Sequence, residues 1–291
     1  MRAGRFVLRG PTWPGTVERP PVVRRTGTDF DTAWARKPPA RVARAAILDL
    51  AIRPAVHAVA SPEVEGRERL DHIEGPAIFA ANHHSHLDTG LLLSVLPERF
   101  RRRAVVAAAA DYFFTHRAKG SLHALAFGAV PVERLRVNRR SGDVTAALVA
   151  DGWSLVIFPE GGRSPDGWGQ GFRGGAAYLS VRTGAPVVPV HLGGTGRVWP
   201  KGQRLPKPGK VTVTFGTPLV ADEGEDARRL GVRLEAAVAT LADERASDWW
   251  TARRRAAEGA TPVLTGPEAA PWRRSWALGD RGARAARPER L

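Results

Sequence analysis

Short apolar runs at 77–81, 104–109, 155–158, 186–191 and 211–215 alternate along the chain with longer stretches at about 89–96, 116–127, 141–151, 174–183 and 227–244. The short runs are rich in Val, Ile and Phe and are bounded by Gly, Pro and charged residues, which predicts strands. The longer ones carry apolar residues at helical spacing. Strands alternating with helices predict an α/β architecture, a mixed, mostly parallel sheet flanked by helices. Ahead of this body, residues 41–60 place Val42, Ala45, Ile47, Leu48, Leu50, Ile52, Val56 and Val59 in a helix-like segment interrupted at Arg53-Pro54. Two placements fit it: in a membrane interface with Arg41, Arg44 and Arg53 near headgroups, or packed on the body of the domain. Residues 1–40 hold Pro11, Pro14, Pro20, Pro21, Pro38 and Pro39 among scattered Arg with no sustained period, the pattern of an extended arm. The chain thus divides into a basic Pro-rich arm (1–40), an amphipathic helical segment (41–69), a main domain (70–245) and a Trp/Arg-rich tail (246–291).

Composition sharpens this division. A chain of 291 residues suffices for one substantial domain with extensions, and its lack of Cys removes disulfides, thiol nucleophiles and Cys-ligated metals. No apolar run reaches the roughly 18–20 residues that span a bilayer. Met1-Arg2-Ala3-Gly4-Arg5 is not followed by an apolar core, so no secretory signal is expected. The net charge of +15 would suit a nucleic-acid partner, but residues 1–44 carry +7 and residues 245–291 carry +5, leaving a near-neutral middle at +3. Basic tails on a near-neutral domain suit attachment to an anionic membrane surface better than nucleic-acid binding, which rests on charge alone. In the tail, Trp249-Trp250, Arg253-Arg254-Arg255 and Pro271-Trp272-Arg273-Arg274-Ser275-Trp276 fit either a water–lipid boundary or a set of Trp residues covering the core. The cluster Arg101-Arg102-Arg103 reads as a solvated face, or as a contact for an anionic cofactor or an acidic protein.

Candidate chemistry concentrates in Asn82-His83-His84-Ser85-His86-Leu87-Asp88, between a strand-like and a helix-like run. Four residues separate His83 from Asp88, a spacing that folds a carboxylate back onto an imidazole at a strand-to-helix turn. The carboxylate keeps one ring nitrogen protonated and leaves the other to accept a proton from an attacking hydroxyl. The same residues are compatible with a solvated turn in which Asp88 caps a helix. A second constellation, Phe158-Pro159-Glu160-Gly161-Gly162-Arg163-Ser164, follows a buried strand. Its glycines let backbone N–H groups approach an anion and Arg163 offers a fork for phosphate oxygens, although Glu160 and Arg163 can equally pair with each other.

Together the two stretches resemble the glycerol-3-phosphate and lysophosphatidate acyltransferase family. Two further segments match it in order, Gly128-Ala129-Val130-Pro131-Val132-Glu133-Arg134 and Val187-Val188-Pro189-Val190, with Glu133 where Asp is more common and Gly162 where Thr is more usual. The resemblance runs from about residue 70 to 220. It implies the family's glycerolipid acyltransferase fold, with His83 as general base on the free hydroxyl of a lysophospholipid acceptor and Asp88 steadying the imidazolium. It also implies that Arg134 and Arg163, helped by the loop amides of Gly161 and Gly162, hold the acceptor phosphate, that Glu160 belongs to the acceptor site and bonds a hydroxyl or fixes an Arg, that Ser164 is among the substrate-binding residues, and that Pro189 shapes the pocket. The acyl donor is acyl-CoA or acyl carrier protein, with no cofactor and no metal. The expected activity is that of a 1-acylglycerol-3-phosphate O-acyltransferase giving phosphatidate in phospholipid biosynthesis, at the cytoplasmic face of a membrane as a peripheral protein.

A different reading takes His84-Ser85-His86-Leu87-Asp88 as the His-x-His-x-Asp core of a Zn-dependent hydrolase. That motif usually continues Asp-His, whereas Thr89 follows here, and the remote ligands would have to come from His116, His123 or His191.

Overall fold

The computed structural model describes residues 27–133 and 139–285. After a 3₁₀ turn at Ala33–Arg36 come helices α1 (Pro38–Ile47) and α2 (Arg53–Val59), joined by a π-helical turn, Leu48–Ile52. Then follow β1 (Ala60–Glu65), β2 (Ile78–Ala81), α3 (Asp88–Val95), α4 (Glu98–Arg101), β3 (Ala104–Ala109), α5 (Ala110–Phe113), α6 (Arg117–Phe127) and β4 (Ala129–Val132). The second half comprises α7 (Arg139–Ala150), β5 (Ser154–Ile157), α8 (Gly175–Thr183), β6 (Val187–Gly193), α9 (Thr195–Val198) and β7 (Gly209–Phe215), closed by α10 (Ala227–Ala246), α11 (Trp249–Ala257) and α12 (Pro271–Ala285).

The seven strands form one sheet in the order β1-β7-β6-β2-β5-β3-β4, parallel at every pairing except β6 with β7. Central β2 is buried along its whole length because helices cover both faces of the sheet, as parallel strands require. On one face Phe79, Val106, Val156 and Val188 pack with Leu91, Leu92 and Leu96 of the α3 region. On the other, Ile78, Val105, Leu155 and Val187 pack with Leu148 of α7, Leu179 of α8 and Leu230 and Leu234 of α10. Helix α10 starts where the Asp226 carboxylate accepts the Arg229 N–H at 2.8 Å and buries Leu230, Leu234, Val238 and Leu241 along one stripe.

Two boundaries differ from the sequence reading. The sheet begins at β1, before the expected domain start at residue 70, and residues 27–40 do not extend away as an arm: Thr32 and Ala35 are buried and α1 begins at Pro38. The rest of that arm lies outside the described residues. The helix also continues through Arg53-Pro54. The Arg53 N–H reaches back to the Leu48 carbonyl, and this wider turn accommodates the proline ring that would clash with a regular α-helical carbonyl. Arg44 and Arg41 face the protein, not lipid headgroups. Arg44 is buried and donates to the carbonyls of Ala35, Ala124 and Leu125, capping the C-terminus of α6, while Arg41 lies 5.6 Å from the Trp153 ring centroid.

Candidate active site

Strands β2 to β6 all end on the same side of the sheet, and the loops that follow β2, β5 and β6 meet there, where ligands bind in open α/β sheets. Asn82, the first residue past β2, carries the sheet's bonding one step further with its side chain. Its Nδ2 donates to the Leu192 carbonyl at 3.0 Å and its Oδ1 accepts the Leu192 N–H at 2.7 Å. His83 is thereby anchored at the sheet edge, and its ring stacks on Phe158 with centroids 4.1 Å apart.

The chain then turns tightly around Asp88, whose side chain is fully buried at the start of α3. Its Oδ2 accepts three hydrogen bonds: from His83 Nδ1 at 2.8 Å, His84 N at 2.7 Å and Ser85 N at 2.7 Å. Its Oδ1 has no hydrogen-bond partner among the described residues. Since Nδ1 bonds to a carboxylate it carries the proton, which leaves Nε2 as the basic nitrogen of neutral His83. Ser85 is fully engaged, its Oγ donating to the Trp199 carbonyl at 2.7 Å and accepting Leu87 N–H at 3.0 Å. It is a brace for the turn, not a nucleophile.

The loop after β5 closes over this turn. Glu160, only 1% exposed, accepts His83 N–H on Oε1 at 2.8 Å and Gln170 N–H on Oε2 at 2.9 Å, and Ser164 N donates to the His83 carbonyl at 2.8 Å. Burial pushes the Glu160 carboxyl up to about 7, the negative charges of Asp88 and Glu235 adding to the effect while the two N–H donors oppose it. Arg163 meets the imidazole of His86, donating from its guanidinium to Nε2. Desolvation, followed by the nearby Arg163 and His83, holds the His86 pKa below its ordinary value against the opposing pull of Asp88.

These residues border a cavity of about 840 Å³. His83, Glu160, Gly161, Gly162 and Arg163 all reach it, so the base and the arginine expected to grip a phosphate share one cleft. Two expected contacts are corrected. Ser164 is buried behind the cleft, its Oγ accepting Gly167 N–H at 2.7 Å, and the amide of Gly161 closes a turn onto the Phe158 carbonyl at 3.0 Å instead of pointing at a ligand. Gly161 is required for another reason: at φ +72° any Cβ would lie 2.8 Å from Arg173 Nε. The Glu160 carboxylate ties two backbone amides together instead of fixing Arg163. Arg134 lies outside the described residues.

Three cations absent from the sequence reading, Lys119, Arg173 and Lys201, also line the cleft. They come from separate elements with no shared motif. The cleft extends along apolar walls, Val106, Ala108 and Phe127 on one side of the sheet and Ile157, Tyr178 and Leu179 on the other. The reading of Arg101-Arg102-Arg103 as a contact for an anionic partner is not supported by their pairing: Arg101 pairs with Asp49, Arg102 with Glu98, and Arg103 donates to the Asp151 carbonyl. The metal-hydrolase reading meets a similar difficulty. Asp88 serves His83 and two amides, and no group of three or more metal-ligating side chains occurs among the described residues.

Residues 61–193 match the family described as Acyltransferase. The match takes in His83, Asp88, Glu160 and Arg163 together. The chain is 30% identical over 166 residues to a chloroplastic 1-acyl-sn-glycerol-3-phosphate acyltransferase of Brassica napus, covering 56% of this chain and 46% of that one. It is 32% identical over 159 residues to a chloroplastic enzyme of the same name from Arabidopsis thaliana, covering 54% and 43%. The chain thus spans about half the length of the curated relatives it matches. The crystal structure of the 1-acyl-sn-glycerophosphate acyltransferase PlsC from Thermotoga maritima shares the fold with a TM-score of 0.51 at 24% identity, over 72% of this chain and 82% of that one. The matched region is thus built on the mixed, mostly parallel sheet flanked by helices that the alternation of runs predicts.

Proposed function

We propose that the protein transfers a fatty acyl chain from acyl-CoA or acyl carrier protein to the free hydroxyl of 1-acylglycerol 3-phosphate, forming phosphatidate for phospholipid biosynthesis. The observation that carries this reading is the His83 Nδ1 to Asp88 Oδ2 bond of 2.8 Å in a cleft that Arg163 also lines. His83 Nε2 accepts the hydroxyl proton as the oxygen attacks the thioester carbonyl, and Asp88 stabilises the imidazolium that forms. Collapse of the tetrahedral intermediate breaks the C–S bond, and the imidazolium returns its proton to the departing thiolate. Arg163, with Lys119, Arg173 and Lys201 around the same cleft, supplies positive charge for the acceptor phosphate, and the apolar walls suit acyl chains. The thioester is a substrate, and the scheme draws on no cofactor or metal. Among the described residues no helix is long and apolar enough to cross a membrane, and the reading places the protein at the cytoplasmic face of a membrane as a peripheral protein.

The test is acyl transfer by purified protein with a panel of acyl-CoA and acyl carrier protein donors and of lysophosphatidate, glycerol 3-phosphate and glycosylated lysolipid acceptors, products resolved by mass. His83→Ala is expected to abolish transfer while acceptor still binds, and Arg163→Ala to raise the acceptor KM more than it lowers kcat. Normal turnover by His83→Ala would remove the base from the mechanism.

A further inference from the structure

Helix α12 lies beyond the matched domain, yet it packs against the loop that forms the wall of the cleft. Residues 164–170 of that loop have the cleft on one side, through Pro165 and Gln170, and α12 on the other. Arg274 Nε donates to Asp166 Oδ2 at 2.7 Å, its carbonyl accepts Trp168 Nε1–H at 2.9 Å, and Leu278 fills the space beside Gly167, where a Cβ would come within 2.4 Å of it. Just before the helix, Leu264 is buried and its carbonyl accepts Gly169 N–H at 3.0 Å. One side of α12, carrying Arg274 and Leu278, is therefore committed to the matched domain.

The opposite side is not. Trp272 and Trp276 are four residues apart, stand on the face turned away from Arg274 and Leu278, and are 67% and 71% exposed. The sequence left open whether these indoles cover the core, and the structure shows that they do not. Arg273 sets its guanidinium 5.0 Å from the Trp272 ring centroid. Trp with a neighbouring Arg is the pairing that lies at headgroup depth, the ring among glycerol and upper acyl groups and the cation on phosphate. The surrounding charge suits an anionic surface, since residues 245–291 carry +5.

We propose that the outward face of α12, with Trp272, Trp276 and Arg273, docks the protein onto an anionic lipid bilayer. Docking through a helix whose other face is bonded to residues 166–168 places the cleft wall at the lipid surface. The inference deepens the proposed lipid function, but its test does not require turnover.

The full-length protein is floated with phosphatidylcholine vesicles made with and without phosphatidylglycerol, at low and high salt, with no acyl substrate present. The wild type is expected to bind the anionic vesicles, less at high salt. Trp272→Ser/Trp276→Ser should weaken binding about tenfold or more, and Arg273→Ala about fivefold. Acyl transfer to a short-chain, monomeric acceptor should stay at the wild-type rate in both variants. A control, Val42→Ser/Leu50→Ser, removes the exposed apolar residues of the N-terminal helices, 71% and 79% accessible. Wild-type binding by the double Trp variant, or a loss confined to the control, would overturn the inference. So would a wild type that binds neither vesicle, or a concentration-dependent dimer that forms without lipid and disappears with the Trp pair, which would assign this face to a second copy of the chain. Failure of acyl transfer with vesicle binding intact would count against the proposed function alone.

Discussion

Replacing Asp88 by Asn separates the charge of this residue from its architecture. Three donors converge on Oδ2, while Oδ1 has no hydrogen-bond partner among the described residues. An Asn with its carbonyl oxygen in the Oδ2 position keeps all three bonds, and its NH₂ falls where the unpartnered oxygen stood. The fold then loses about 1–3 kcal/mol for a buried donor without an acceptor, offset in part because a buried charge is removed. Catalysis loses more. An imidazolium and a carboxylate about 4 Å apart between charge centres attract by about 4 kcal/mol at an effective dielectric of about 20. Retaining a neutral hydrogen bond leaves a loss of about 2–4 kcal/mol in the transition state, or about 30- to 900-fold in kcat. Asp88→Ala behaves differently, because it strands the N–H groups of His84 and Ser85 at about 1–3 kcal/mol each and lowers thermal stability as well as rate. Steady-state kinetics at saturating donor, with circular-dichroism melting of both variants, reads the two effects apart. If Asp88→Asn kept kcat within about twofold of wild type, the charge of Asp88 would have no part in the reaction. If it melted as early as Asp88→Ala, the hydrogen-bond geometry would be wrong.

Two further predictions concern the frame around the site. Arg44→Met takes the Arg44 donors from the carbonyls of Leu125 and Ala35, while the Ala124 carbonyl keeps the Gly128 N–H, and is expected to lower stability by about 1–3 kcal/mol in urea titration while leaving the acceptor KM unchanged. For Glu160, the folded-state pKa of about 7 stands above the ordinary value of 4.5, so the folded protein retains a proton that the unfolded chain releases. The stability linked to this group is present in full below pH 4.5 and is lost as pH rises to about 7, about 3 kcal/mol in all. Glu160→Gln should remove that part of the slope from a plot of urea midpoint against pH. A wild-type slope in the variant would show that another group titrates.

Strands buried on both faces were legible in the sequence because their apolar runs are unbroken, and helices such as α10 because their stripe repeats over many turns. The two edge strands were not. Each has a neighbour on one side only, so β1 tolerates Pro62 between exposed residues and β4 tolerates Pro131, and neither offers the run or alternation that marks a strand. The His83–Asp88 pair could be read because its partners are five positions apart. Lys119, Arg173 and Lys201 could not, because they reach the cleft from helices and loops far apart in sequence, and their proximity exists only once the sheet is assembled.

The same distinction applies to Glu160. A carboxylate beside two glycines and an arginine reads as a ligand for the arginine, because nearest neighbours are all that a sequence displays. In the fold the nearest charge matters less than the nearest unsatisfied donors. The amide of His83 leaves β2 with no strand partner, the amide of Gln170 sits in a loop, and the buried Glu160 carboxylate supplies an acceptor to both. Asn82 does the equivalent for Leu192, and Asp88 for His84 and Ser85. Each of these side chains is buried, and together they bind the loops after β2, β5 and β6 into one unit, so a rotation of the His83 ring would require at least its bond to Asp88 to break. An imidazole held in this way does not reorganise as a proton arrives, and that rigidity is the condition under which a single His–Asp pair contributes to the rate.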